Sequence, residues 1–160
     1  MVVPRRCRRR RRQMMAHSHL LLFALLAMAV SALDLTWNPI SGLKTKYAVV
    51  EAGAKGAPLV AKGDTVTVHA TGIVKESSKK FWSTRDPGQR PFTYKAGVGG
   101  VITGWDQGLL GAATGESRKL DIPAEEGYGA KGFPAWGIPP NGGLYFEITV
   151  VEIKGKKGEF

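Results

Sequence analysis

The chain has 160 residues, enough for one domain, and a formal net charge of +10. Seven of its 23 Lys and Arg lie in residues 1–32, and the remainder carries 16 basic against 13 acidic residues. The excess charge is therefore a property of the leader and does not indicate a nucleic-acid-binding surface. Cys7 is the only cysteine, and His69 is the only histidine beyond the leader. This argues against a thiol nucleophile, a Ser-His-Asp triad and a His- or thiolate-based metal site, so we expect no metal and no cofactor.

Residues 1–32 have the three parts of a secretory signal peptide. An arginine-rich start is followed by an apolar run at residues 20–30 and by small residues that end at Ala32. We expect cleavage after Ala32 and a mature chain, without a stable membrane anchor, in the lumen of the secretory pathway or outside the cell. An apolar run of this length is short for a membrane span. The abundance of arginine without acidic residues also fits a transit peptide for plastids or another organelle, although serine is scarce.

Residues 33–57 read as an extended lead-in that includes a first strand in "KYAVVEAG". The stretch "DTVTVHATGIV" alternates strictly, with Val66, Val68 and Ala70 on one face, which is typical of a half-buried strand. Two short strands are predicted in "KKFW" and "PFTYKAG", separated by a loop that contains Pro and Gly.

The segment "VITGWDQGLLG" predicts one short helix that carries Trp105 between Gly104 and Gly108. A helix this short is not stable alone, so we expect it to lie against the apolar face of a sheet. The two glycines would permit a close approach. Trp105 is then either the floor of a pocket or an ordinary core residue, and composition leaves both alternatives open.

Two more strands are predicted in "ESRKLDI" and "LYFEITVVEI", and the second places Leu144, Phe146, Ile148 and Val150 on one face. Between them lies a stretch of 21 residues rich in Gly and Pro. A loop of this length in a compact domain is usually functional or disordered, and its aromatic residues argue against disorder. The pattern predicts an α+β fold with a five- or six-stranded, mostly antiparallel sheet.

Five segments of the chain are informative through their order and spacing: "VHATG", "KKFW", "RPFTYKAGVGGVITGWDQGLLGAATGESRKLDIP", "GYGAKGFP" and "GIPPNGGLYFEITVVEI". In this arrangement the chain resembles the FKBP family of peptidyl-prolyl cis/trans isomerases. The likeness covers residues 58–154 and leaves residues 155–160 as a basic tail. It implies a five- or six-stranded antiparallel sheet wrapped around one short helix, with a shallow apolar pocket between them. It also implies a monomer that binds proline-containing polypeptides and macrolides such as tacrolimus or rapamycin.

The same resemblance implies a site. Trp105 would be the floor, and the hydroxyl of Tyr128 and the backbone N–H of Ile102 would donate hydrogen bonds to the substrate. The residues implied to act on the bond are Tyr128, Ile102, Trp105 and Phe81, and those implied to bind the substrate are Phe92, Val101, Phe133, Ile138, Phe146, Trp82 and Ala70.

Three positions depart from the common family pattern. Ala70 stands where many members have Tyr, Trp82 stands where Asp is common, and Phe133 replaces a frequent His. The first two changes remove a polar pair from the pocket rim, so we expect weaker macrolide binding. The resemblance implies an isomerase that assists protein folding by stabilising the twisted imide without covalent chemistry. The alternative is a non-catalytic module that binds proline-containing segments of a partner.

Overall fold

The computed structural model describes residues 35–155. The predicted leader at residues 1–32 and nearly all of the predicted tail lie outside this range. Within residues 35–155, no helix is long and apolar enough to cross a membrane.

One antiparallel sheet of seven strands dominates the described residues, in the order β1-β2-β6-β7-β3-β4, with β5 also paired to β3. The strands are β1 Asn38–Pro39, β2 Lys46–Glu51, β3 Thr65–Val74, β4 Lys79–Ser83, β5 Phe92–Lys95, β6 Ser117–Ile122 and β7 Leu144–Lys154. The predicted α+β class and antiparallel sheet are confirmed. The extra strand is β1, because Asn38 and Pro39 in the predicted lead-in pair with Tyr47 and Lys46.

The core lies on one face of the two central strands. In β3, Val66, Val68 and Ala70 are buried, and the residues between them are partly exposed. Strand β7 buries its own alternate residues up to Val150 on the same side. Both alternations were predicted from the sequence. Burying side chains of this kind stabilises the fold by about 1.5–3 kcal/mol each.

Helix α1, Thr103–Gly108, lies against β6 as expected. Its glycines make the approach possible, since a Cβ at Gly104 would lie 2.6 Å from Ile122 Cγ2 and one at Gly108 would lie 2.8 Å from Leu120 Cδ2. Asp106 fixes the preceding loop, because its carboxylate accepts hydrogen bonds from two backbone N–H groups, those of Gly97 and Gly99, at 2.8 and 2.9 Å.

A buried ion pair holds the other end of α1. Arg118 donates from Nε to Glu116 at 2.5 Å and from its terminal nitrogen to the carbonyls of Gly108 and Leu110 at 2.9 and 3.1 Å. These carbonyls have no partner inside the helix, so a cation is favourable there. The pair positions the helix that carries Trp105.

The long loop between β6 and β7 contains three 3-10 turns, Ala124–Glu126, Gly129–Lys131 and Pro134–Trp136. Glu126 ties its beginning to the lead-in by accepting hydrogen bonds from the N–H and hydroxyl of Thr45 at 2.8 and 2.5 Å. Near its end, Phe133 and Ile138 exchange two backbone hydrogen bonds at 2.9 and 3.1 Å. The loop is therefore anchored to the lead-in at its beginning and closed on itself between Phe133 and Ile138.

Candidate functional site

A cavity of about 480 Å³ opens between α1, the adjoining strands and the long loop. Its size and apolar lining are those of a small-ligand site. The cavity is lined by Trp82, Phe92, Gly99, Gly100, Val101, Ile102, Trp105, Tyr128, Trp136 and Phe146.

Trp105 is both cavity lining and core. Its side chain is only 4% exposed, yet it contributes to the cavity surface. The indole packs against Phe146, Phe92 and Tyr94 with ring centroids 4.9, 5.9 and 5.9 Å apart, in edge-to-face arrangements. Such pairs stabilise beyond simple area burial. The two alternatives for Trp105, pocket floor and core residue, therefore do not exclude each other, because Trp105 packs in the core and also faces the cavity.

Tyr94 supports this floor from behind, and sequence reasoning missed it. Its hydroxyl and the indole N–H of Trp105 are both buried without a hydrogen bond that meets ordinary geometry within the described residues. Burial raises the pKa of the Tyr94 phenol well above its usual range, although the neighbouring indole of Trp105 acts in the opposite direction. The phenol therefore stays neutral beneath the cavity.

A β-bulge in β4 brings two consecutive aromatic residues to the same side. Trp82 pairs with Gly72 and Lys80 pairs with Ile73, so Phe81 is the extra residue. Phe81 packs edge-to-face on Phe146, and Trp82 packs on Trp105. Gly72 leaves the room for this arrangement, since a Cβ there would collide with the Phe81 ring.

Four aromatic residues pack together at the side of the cavity, and we call them the aromatic shelf: Trp82, Tyr128 and Trp136, which line the cavity, and Phe133, which packs on Tyr128 and Trp136. Trp136 is at their centre. It lies parallel to Trp82 at 6.3 Å and meets Phe133 and Tyr128 nearly at right angles at 5.1 and 6.4 Å. Sequence reasoning did not assign Trp136 to the site, and its only signal was an aromatic residue within a Gly- and Pro-rich loop.

The structure places seven of the predicted site residues on the cavity wall. Four others lie elsewhere. The wall residues are Ile102, Trp105, Tyr128, Phe92, Val101, Phe146 and Trp82.

The four remaining residues are not part of the cavity lining. Ala70 and Ile138 are each 1% exposed and belong to the core, which closes over both. Phe133 packs on the outer side of Tyr128 and Trp136 and is 38% exposed. Phe81 stands behind the wall, because the bulge directs its ring onto Phe146 and Trp136.

The cavity offers hydrogen-bond donors in apolar surroundings. Burial raises the pKa of the Tyr128 hydroxyl, so this group remains protonated and can donate. The N–H of Ile102, at the start of α1, bonds to no other residue in the range 35–155. None of the lining residues carries a formal charge at neutral pH. The arrangement can hold an apolar ring and donate to a carbonyl, but it contains no acid, base or nucleophile of ordinary strength.

Comparison with known proteins adds the family. The sequence model of the FKBP-type peptidyl-prolyl cis-trans isomerase domain matches residues 56–151. "Peptidyl-prolyl cis-trans isomerase FKBP12" of Vicia faba is 52% identical over 105 residues, which cover 64% of this chain and 92% of that protein. The Arabidopsis thaliana protein of the same name is 52% identical over 99 residues, 61% of this chain and 88% of its own length. "Peptidyl-prolyl cis-trans isomerase FPR2" of Saccharomyces cerevisiae is 46% identical over 92 residues, 58% of this chain and 67% of its own length.

The matched range begins before β3 and runs into β7, so it includes every lining residue of the cavity. The fold agrees as well, since an antiparallel sheet packs on one short helix within the described residues. The chain belongs to the FKBP-type peptidyl-prolyl cis-trans isomerase family, and its activity is the cis/trans isomerisation of the peptide bond that precedes proline.

Proposed function

We propose that the cavity over Trp105 is the active site and that it assists protein folding by binding the prolyl ring and the twisted imide. The observation that carries this proposal is the uncharged aromatic wall around a single buried indole. The alternative of a non-catalytic binding module is not favoured, because the relatives are named as isomerases.

The chemistry needs little more than such a wall. An X–Pro bond interconverts in tens to hundreds of seconds because rotation sacrifices amide resonance, with a barrier of ~18–20 kcal/mol. The twisted imide has less charge separation than the planar one, so an apolar site favours it. An acceleration of about 10⁴ requires a preference of only ~5.5 kcal/mol.

Two donors orient the substrate in this proposal. The Tyr128 hydroxyl and the Ile102 N–H sit on the cavity wall, each able to donate to a carbonyl beside the prolyl ring. A neutral hydrogen bond of this kind contributes about 0.5–1.5 kcal/mol net. The donors therefore refine the orientation, and the apolar wall supplies the remainder of the preference.

The test is an exchange measurement on a short X–Pro peptide with three proteins: the unmodified chain, Tyr128→Phe and Tyr145→Phe. Tyr145 is the matched control, since it lies outside the cavity lining and packs between the amines of Lys75 and Lys119, 5.1 Å from each. We expect Tyr128→Phe to lower kcat/KM about two- to tenfold. Equal rates for all three proteins would contradict the role of Tyr128, and no exchange above background would contradict an active site here.

We also propose that macrolides bind more weakly than to family members with a polar pair at the rim. Support comes from Trp82, which presents an indole to the cavity in place of a carboxylate, and from Ala70, which presents no hydroxyl. A ligand carbonyl or hydroxyl loses its partners at this edge and must be desolvated without compensation.

For the location we infer that residues 1–32 are removed and that the mature chain lies in the secretory-pathway lumen or outside the cell. The arginine run, the apolar run and the small residues ending at Ala32 support this. N-terminal sequencing of protein from its native source tests the inference, with Leu33 or a neighbour expected first. An intact arginine-rich start contradicts it, and import into isolated plastids would favour a transit peptide instead.

A further inference from the structure

The aromatic shelf exposes apolar surface beside the cavity. Trp136 and Phe133 are 43% and 38% exposed, although both are large aromatic residues. Exposed apolar area of this kind, continuous with a binding cavity, is a common mark of a contact surface. The shelf also joins the floor directly, since Trp82 touches Trp105 on one side and Trp136 on the other.

The shelf is held in place before any ligand arrives. Trp136 ends a 3-10 turn that begins at Pro134 and is followed by Gly137 in the left-handed region, with φ of 71°. The N–H of Gly137 donates to the Pro134 carbonyl at 2.9 Å, and the N–H of Trp136 donates to the Phe133 carbonyl at 3.0 Å. A surface that is already ordered loses little entropy on binding.

The distance between the Trp105 floor and the aromatic shelf allows one polypeptide to contact both at the same time. Two steps of 6.3 Å lead from the Trp105 ring to Trp82 and from Trp82 to Trp136. An extended peptide advances about 3.3 Å per residue, so a side chain within about four residues of the proline can reach the shelf. The shelf residues are aromatic and carry no formal charge, so they can stack with an aromatic side chain and offer no partner to an acidic one.

We propose that the aromatic shelf is a second subsite that selects polypeptides with an aromatic residue two to four positions from the isomerised proline. This inference rests on the proposed function and names the substrate class of the same site. The aromatic residue would lie against Trp136, and the prolyl ring would lie over Trp105.

A peptide series tests the inference. Each peptide has one proline in a Gly, Ser and Ala background, and one Phe is placed in turn at every position from four before to four after the proline, except the position directly before it. The residue directly before proline is kept as Ala, because that residue itself changes the cis fraction. Affinity and kcat/KM are measured for the unmodified chain, for Trp136→Ala and for Trp37→Ala, an exposed tryptophan outside the cavity lining.

We expect at least one position two to four residues from proline where Phe improves kcat/KM and affinity about three- to tenfold over Ala. Trp136→Ala should bring this Phe-to-Ala ratio close to one, whatever happens to the common rate, and Trp37→Ala should keep the ratio. A chain that isomerises every peptide equally overturns the subsite and leaves the proposed function intact. A ratio that survives Trp136→Ala also overturns it. Absence of exchange and of binding with all peptides contradicts the proposed function itself.

Discussion

The floor and the aromatic shelf use the same kind of side chain at opposite degrees of burial. Trp105 is 4% exposed and packs on four other aromatic rings, whereas Trp136 keeps 43% of its surface in contact with solvent. The apolar area of Trp105 is removed from water when the chain folds, so it stabilises the fold. That of Trp136 is removed only when something covers it, so its free energy is available for binding.

The largest effect is expected at the floor. Trp105→Leu should lower the free energy of unfolding by roughly 2–4 kcal/mol, because a smaller side chain leaves a gap among Phe92, Tyr94 and Phe146. It should also lower kcat/KM per folded molecule about tenfold, through the lost aromatic contact with the prolyl ring. Thermal melts and exchange rates on one preparation check both, with Trp37→Leu as control. Normal activity per folded molecule would contradict a catalytic contribution of Trp105, since the residue would then stabilise the fold only.

The bulge beneath the shelf is the next test. Gly72→Ala places a methyl group against Phe81 and within 2.8 Å of the buried Phe146 ring, so the rings must shift. We expect a loss of about 1–3 kcal/mol in the free energy of unfolding, measured by urea titration. Gly155→Ala has only one atom 4.0 Å from its Cβ and is the control. An unchanged transition midpoint would mean that the bulge tolerates a side chain, and that Phe81 is not fixed by this packing.

Restoring a polar rim should tighten macrolide binding. Ala70→Tyr together with Trp82→Asp is expected to improve the affinity for tacrolimus about tenfold, because each new hydrogen bond contributes ~0.5–1.5 kcal/mol. Calorimetric titration measures the affinity, and the single variants show which position acts. Since Ala70 lies in the core, its tyrosine needs the space that Trp82 vacates, and unchanged affinity in the double variant would show that this edge does not face the ligand.

Glu126 anchors the loop that carries the shelf, and its contribution should depend on pH. Partial burial acts to raise the pKa of Glu126, but hydrogen bonds from Lys44 and Thr45 outweigh it and lower the pKa. A lowered pKa in the folded state stabilises above the unfolded value, about 4.3, and the stabilisation is lost as pH falls through the folded value. Glu126→Gln should therefore cost about 1 kcal/mol near neutral pH and almost nothing in strong acid.

Urea titrations at several pH values check this prediction. Glu125→Gln is the control, because within residues 35–155 the Glu125 side chain pairs only with the exposed Lys44 amine, at 2.6 Å, and its loss should leave the midpoint unchanged. A cost for Glu126→Gln that persists in strong acid would assign the effect to packing.

The smallest expected effect is that of pH on kcat/KM, which should be absent. Burial raises the pKa of both Tyr94 and Tyr128, and the lining residues contain no carboxylate, amine or imidazole. We expect kcat/KM to be constant between about pH 5 and pH 9, since no group of floor or shelf titrates there. A bell-shaped profile would reveal a participating acid or base and would contradict catalysis by an uncharged wall.

The faces of the central strands could be predicted because alternation is local. In β3, apolar residues recur at every second position (Val66, Val68 and Ala70), and this period of two predicts that they share one face. The alternation in β7 predicts its buried face in the same way. The seven wall residues came from the family resemblance. They include Trp82, and the same resemblance showed that Trp82 stands where the family commonly has Asp.

The remaining features depend on partners far along the chain. The bulge at Phe81 exists only in the register of β4 against β3, which no local pattern specifies. Trp136 reaches the cavity because its turn packs on Trp82, more than fifty residues earlier. Arg118 reads as an ordinary residue of an alternating strand, yet it is buried and bonds to the end of α1. Each is a tertiary effect that overrides the local signal.

Strand β7 has a consequence for how the molecule is made. It inserts between β3 and β6, so the sheet is divided until the last strand arrives. Its pairs with β3 join residues about eighty positions apart, and such distant pairing slows folding. During synthesis, β3 and β6 are made before β7, their common neighbour in the sheet, and Phe146 is the last lining residue of the cavity to be made. A protein that accelerates a slow step in the folding of others therefore cannot complete its own cavity until β7 has been made and has paired with strands far back along the chain.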